Sequence, residues 1–156
     1  MKILFICMGN ICRSPLAMGV LRRQLESLKI EGVQVDSCGT HSYHIDEPPD
    51  PRAIAVASRF GIDITDHRGR HLKAQDFVDY DLLLVMDRTN YRDAQRIAGG
   101  PNPKLKLMRD YAMGQRDTDV HDPYTGTDQD FVTTYQVLNM ACKGLVMREF
   151  LQERSI

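Results

Sequence analysis

The chain of 156 residues has little charge of either sign to spare. Its 20 Lys and Arg against 21 Asp and Glu leave a formal net charge of −1, so bulk electrostatics gives no reason to expect nucleic acid or an anionic membrane as partner. No apolar run approaches the length of a membrane span. The apolar opening is too short for a secretory signal, and Gly9-Asn10 ends it before any small-residue cleavage site. These absences predict a cytoplasmic protein. There is no internal repeat, low-complexity segment or interdomain linker. Four cysteines (Cys7, Cys12, Cys38, Cys142) are too few for a disulfide-stapled scaffold of this size, so each is expected as a thiol with its own explanation. What remains, 42% hydrophobic and 26% charged residues, is ordinary for one globular domain over residues 1–156 with room for a core.

Residues 2–7 form a continuous apolar run with β-branched and aromatic members, as in a strand buried on both faces. Ser14 and Pro15 then predict a helix start, serine as cap and proline at the first helical position. Leu16, Val20, Leu21, Leu25 and Leu28 follow at helical spacing. Alternation over 33–36 predicts a second strand, and Asp50-Pro51 repeats the cap signature before a helix over 53–60 that Gly61 stops. Residues 82–86 predict a third strand, 89–98 a helix, 104–108 a fourth strand and 128–153 a long final helix. This alternation predicts an α/β fold: a single-domain four-stranded parallel sheet, flavodoxin-like and doubly wound, with helices on both faces. Two long loops, 40–50 and 109–127, remain, and loops of that length in such a domain usually carry function.

The stretch "CMGNICRSP" begins at Cys7. In a doubly wound sheet ligands sit beyond the carboxyl ends of the strands, where Cys7 falls. Gly9 permits unusual backbone angles, and Asn10 tolerates the left-handed region better than other side chains. A tight loop running into a helix N-terminus aims backbone N–H groups inward and makes an anion site. Arg13 adds a fork of donors suited to phosphate oxygens. Helix end and arginine both favour a thiolate at Cys7, and a thiolate facing a phosphate is a nucleophile for phosphoryl transfer. Cys-x5-Arg alone is a weak pattern; the strand before it, Gly-Asn within it and Ser-Pro after it give it content. On the residues alone a second reading stands beside this one: a buried cysteine ending a core strand, with Arg13 at the surface.

With those residues in view, "CMGNICRSP" resembles the active-site loop of the low-molecular-weight protein tyrosine phosphatases. The resemblance covers essentially the whole chain, since "DSCGTHSYHIDEPPDPRA", "LLLVMDRTN" and "DPYTG" follow in the family's order. It implies that Cys7 is the nucleophile, Arg13 the transition-state clamp, and Asp122 the general acid that later activates water. The phosphate-binding loop would be Met8, Gly9, Asn10, Ile11, Cys12, Arg13 and Ser14, with Ser14 donating to the thiolate. Asn10, Ser37 and His67 would hold that loop in shape, and Tyr43 and Tyr124 would wall the substrate ring. The implied partners are a phosphotyrosine-containing protein as substrate and inorganic phosphate or other oxyanions as competitive ligands, with no cofactor, no metal and a monomeric protein. Protonating a phenolate helps it leave, so an acidic optimum is expected.

The chain departs from the family's pattern at Thr125, where many members carry a second aromatic, and at Tyr43, where many carry tryptophan. Both put substrate preference, not the reaction, in question. Relatives that dephosphorylate phosphoarginine tend to carry a small threonine at the position of Ile11, whose bulk suits a flat ring instead. Arsenate reductases can share the loop, but they need a further cysteine pair near the third strand, and residues 76–100 contain no cysteine. Cys12 has two readings: a packing residue, or a redox partner for Cys7, which the resemblance favours. His67 and His71 lack a third ligand at sensible spacing. His121 reads as a solvated loop residue, Cys38 and Cys142 as structural thiols. Arg70 and Asp87 are expected to pair beneath the active face, on the resemblance alone.

Overall fold

Strand β1 (Lys2–Cys7) is buried from Ile3 onward, as a strand covered on both faces must be. The computed structural model describes residues 1–112 and 119–151. In it β1 lies between β2 (Gln34–Gly39) and β3 (Leu82–Val85), with β4 (Leu105–Leu107) outside β3. All three pairings are parallel, and the sheet order is β2-β1-β3-β4. The chain leaves β1 in one direction for β2 and returns on the other side as β3, so the crevice of the sheet opens at the end of β1.

The pleat sorts the core. Ile3, Phe5 and Cys7 join the apolar cluster that includes Leu16 and Leu21 of α1 (Arg13–Ser27) and Phe131 and Leu138 of α5 (Asp128–Val146). Leu4 and Ile6 face the opposite cluster, with Phe77 of α3 (Asp76–Asp79) and Ala94 of α4 (Arg88–Ala98). Helix α2 (Pro51–Arg59) packs on the first side, burying Ala53, Val56 and Ala57. The fold is therefore the expected one, with helices on both faces.

Local signals fix most boundaries. Asp50 caps α2 by accepting from the Arg52 N–H at 2.8 Å. Asp87 caps α4, and Gly99 closes it at φ 86°. Thr127 and Asp130 form a reciprocal capping box on α5. The sequence expectation differs in four places. Helix α1 starts at Arg13, with Cys12 at the cap position, and Ser14 lies inside the first turn with its hydroxyl turned to the Cys7 sulfur. Strand β2 runs on to Gly39, because pairing with β1 continues to Cys7↔Gly39. The short α3 occupies a segment with no expected element, and a 3-10 turn (Met108–Tyr111) takes the last residue of the expected fourth strand and the start of the 109–127 loop. The last helix is α-helical only to Val146, followed by a π-helical turn (Met147–Leu151); the remainder of the expected 128–153 span, and residues 113–118 of the second loop, lie outside the described residues.

Candidate active site

Beyond the end of β1 the chain turns through residues 8–12 into α1, and the turn passes through Asn10 at φ 60°. Asn10 is buried, and its amide is satisfied on all four sides. Nδ2 donates to Ser14 Oγ at 2.8 Å and to Ser37 Oγ at 2.9 Å. Oδ1 accepts from the Arg70 N–H at 3.1 Å and faces His67 Nε2 at 2.9 Å. An amide oxygen has no proton to give, so this contact requires His67 in the tautomer with its proton on Nε2. Burial holds the His67 imidazole below its ordinary range, Asp36 opposing in part, and so favours the neutral ring.

The loop's carbonyls are occupied on the outer side. Cys7 O accepts from the Thr40 N–H at 2.9 Å, Met8 O from His41 at 3.1 Å, and Ile11 O from Asp50 at 2.9 Å. Each trans peptide unit points its N–H opposite to its C=O, so the amides of Met8, Gly9 and Cys12 are turned toward the concavity. Together with the start of α1 they form an electropositive cup.

Cys7 Sγ lies at the bottom of that cup, 2.9 Å from Ser14 Oγ and 3.3 Å from the Asn10 N–H. Ser14 Oγ already accepts from Asn10, so its own proton goes to the sulfur at 2.9 Å or to the Cys38 carbonyl at 3.4 Å, of which the sulfur is the closer acceptor. Arg13 is 2% exposed; its Nη1 donates to Asp87 Oδ2 at 2.7 Å and to the Val120 carbonyl at 2.9 Å, while Nη2 lies 3.6 Å from Asp122 Oδ2. Burial opposes charge on Arg13, but the Cys7 sulfur, Asp87 and Asp122 outweigh it, leaving the guanidinium more firmly protonated than usual. One open pocket brings Cys7, Cys12, Arg13, Asp122, Tyr43 and Tyr124 together, with Met8, Gly9 and Ile11 in its wall. The two tyrosines flank it from separate loops and are 67% and 50% exposed.

The remaining residues fall as follows. Cys12 is a free, buried thiol in the same pocket as Cys7, and desolvation first, then Asp50 and Cys7, push its ionisation far above the ordinary range. Cys38 and Cys142 are fully buried thiols of the core. His67 and His71 turn to different partners, His71 to the Thr40 carbonyl at 3.0 Å. Among the described residues no group of three or more His, Cys, Asp or Glu is arranged to hold a metal. His121 is exposed. The expected Arg70–Asp87 pair does not form: Arg70 bonds Asp36 and Asp76, whereas Asp87 bonds Arg13. The sheet order explains this, since Arg70 lies by β2 and Asp87 follows β3, on opposite sides of β1.

Sequence reasoning missed Asp87 and the Val120 carbonyl as holders of Arg13, and His44 in the pocket wall. It also missed Arg52, which bonds the carbonyls of Tyr124 and Gly126. Asp87 had a signal, an acidic residue just past the carboxyl end of a predicted strand.

The sequence matches the family model described as low molecular weight phosphotyrosine protein phosphatase over residues 2–155. It is 37% identical over 149 residues to the human low molecular weight phosphotyrosine protein phosphatase, covering 93% of each chain. Its fold superimposes on a crystal structure of a protein tyrosine phosphatase from Entamoeba histolytica with a TM-score of 0.90, at 32% identity, covering 100% of this chain and 99% of that one. The crystal structure of a Drosophila arginine phosphatase also gives a TM-score of 0.90, at 29% identity, covering 96% of this chain and 98% of that one.

Proposed function

The chain belongs to the low molecular weight phosphotyrosine protein phosphatase family, and from that premise we propose that it hydrolyses phosphotyrosine in proteins, and aryl phosphates generally, through a phosphocysteine on Cys7. The observation that carries this reading is convergence: a sulfur within reach of two donors, a buried arginine and a loop carboxyl meet in one pocket.

In the first step Cys7 Sγ attacks phosphorus as thiolate, a P–S bond forms and the P–O bond to the phenol breaks. Asp122, protonated in the complex, gives its proton to the departing oxygen. The inward amides and Arg13 hold the three equatorial oxygens, and the Asp87 and Val120 bonds pre-orient the guanidinium so that little reorganisation is needed. Ser14 donates to the sulfur, which makes it a better leaving group for the second step. There Asp122 takes a proton from water, water attacks phosphorus, the P–S bond breaks and inorganic phosphate leaves. These roles need no cofactor or metal. Asn10, Ser37 and His67 support the loop, and Tyr43 and Tyr124 grip the ring.

Cys12, kept neutral by burial, takes no part in turnover. It acts when peroxide oxidises Cys7 to the sulfenic acid: its thiol attacks that sulfur, an S–S bond forms and water is released. Thiol counting after mild peroxide and reductant checks this; Cys12→Ser should lose Cys7 irreversibly where the unaltered protein recovers it, and equal loss in both would refute it.

A second reading, phosphoarginine hydrolysis, draws on the likeness to the Drosophila enzyme. Ile11 in the pocket wall weighs against it, because a bulky side chain packs on a flat ring better than it admits a guanidinium.

One set of assays tests both. The protein is expected to hydrolyse p-nitrophenyl phosphate between pH 4 and 8 in EDTA with an acidic optimum, competitively inhibited by phosphate. Cys7→Ser should be inactive, and Asp122→Ala slowed about 100-fold or more on phosphotyrosine peptide, whose phenolate leaving group needs the proton. Phosphotyrosine peptide should be preferred over phosphoarginine; the reverse order would select the second reading. Phosphate binding without turnover would remove the catalytic roles of Cys7 and Asp122.

A further inference from the structure

We infer that Arg52 is a positioning residue for Asp122: it fixes the acid-bearing turn, and the Tyr124 wall with it, in register with the first loop. The inference rests on the phosphocysteine reading above.

Arg52 starts locked at its own helix end. Asp50 Oδ1 accepts from the Arg52 N–H at 2.8 Å and from Nε at 3.1 Å, and Oδ2 accepts from Nη2 at 3.0 Å. The guanidinium thus has its angle set by a carboxylate whose side chain is only 9% exposed. From that position Nη2 donates to the Tyr124 carbonyl at 2.9 Å and Nη1 reaches the Gly126 carbonyl at 3.4 Å. Its face lies 4.5 Å from the Phe131 ring centroid at the start of α5 and 5.7 Å from that of Tyr124.

Both ends of this bracket touch the site. On one side the Asp50 N–H donates to the Ile11 carbonyl at 2.9 Å, within the first loop. On the other, Asp122 Oδ1 accepts from the Tyr124 N–H at 3.1 Å, in the residue whose carbonyl Arg52 holds. The turn between them is closed by Gly126 N–H to Pro123 O at 2.9 Å. Asp50 and Arg52 therefore form a continuous hydrogen-bonded link from the phosphate cup to the acid. Only a planar fork can bond one carboxylate and two carbonyls at once, which a lysine cannot do.

The consequence is specific to protonation of the leaving group. A misplacement of about 1 Å can cost about 100-fold in rate. The penalty should scale with how much the leaving group needs the proton. Phenolate, the conjugate base of an acid with pKa about 10, needs it. p-Nitrophenolate leaves with little help.

The test is kcat/KM on phenyl phosphate and on p-nitrophenyl phosphate, with inhibition by inorganic phosphate, for Arg52→Ala, Arg52→Lys, Asp50→Asn and Asp122→Asn. Arg52→Ala is expected to lose about 10-fold to 100-fold on phenyl phosphate, much less on p-nitrophenyl phosphate, and nothing in phosphate affinity. Arg52→Lys should recover only part. Asp50→Asn keeps a good helix cap while loosening the fork, so it should shift the same way by less, and it decides the matter if Arg52→Ala does not fold. Equal losses on both substrates, or weakened phosphate binding, would overturn the assignment. Leaving-group sensitivity in Asp122→Asn alone would overturn Arg52 and spare the general acid; sensitivity in neither would overturn both.

Discussion

Asn10 shows how much one residue can organise. Its left-handed backbone turns the loop, and its side chain joins β2 through Ser37, the Ser14 hydroxyl beneath the sulfur, and the 67–70 segment through His67 and the Arg70 amide. This network requires a proton on His67 Nε2, and burial, by depressing the ring's ionisation from the ordinary value of 6.5, favours the neutral tautomer that carries it there. The sign follows directly. Where the folded ring binds its proton less readily than the unfolded one, its stabilising contribution is complete above about pH 6.5 and is lost as pH falls from there through the lower folded value. The loop is thus supported into the acidic range where catalysis is expected. In urea unfolding, the protein should lose more stability between pH 7 and pH 5 than His67→Gln does; parallel losses would show that His67 is not the group responsible.

At the scale of elements, the cup is made by the 40–50 segment lying against the first loop. Thr40, His41 and Asp50 take three of the loop's carbonyls, and this close approach begins where β2 ends at Gly39. A Cβ on Gly39 would stand 2.7 Å from the Met8 carbonyl oxygen and 3.2 Å from that of His41. Neither is a flexible side-chain end, so one backbone must move. Gly39→Ala is therefore expected to lose about 1–3 kcal/mol of stability, the usual scale of overpacking. It should also weaken inhibition by phosphate, because the Met8–Gly9 peptide that shifts is one whose N–H faces the cup. Denaturant midpoints and phosphate inhibition constants measure the two effects. The acid side follows similar logic: Thr127 and Asp130 cap α5, and Arg52 holds the preceding turn from α2.

Across the whole molecule, the sheet decides where chemistry is possible. The order β2-β1-β3-β4 puts β1 at the crossover point, so its carboxyl end is the one place that loops from both directions can surround. Arg13 on α1 meets Asp87 after β3 and Asp122 from far along the chain, while Asn10 meets Ser37 on β2. The sequence by itself determined the alternation of strands and helices, because burial on both faces leaves unbroken apolar runs such as 82–86 and amphipathic spacing such as Leu16 to Leu25. It also marked the first loop, because strand, glycine, asparagine, cysteine and arginine are adjacent there, but the contacts of Ser37, Thr40, His41, Asp50 and His67 that shape it come from elsewhere in the chain. Local pattern read Ser14 as a helix cap, and only the family resemblance turned it to the sulfur; nothing in the sequence determined which acid Arg13 meets, nor that Arg52 reaches the acid turn. Only the tertiary structure decided these, since each depends on groups distant in sequence and several bonds end on backbone carbonyls, which every residue has and no side chain announces.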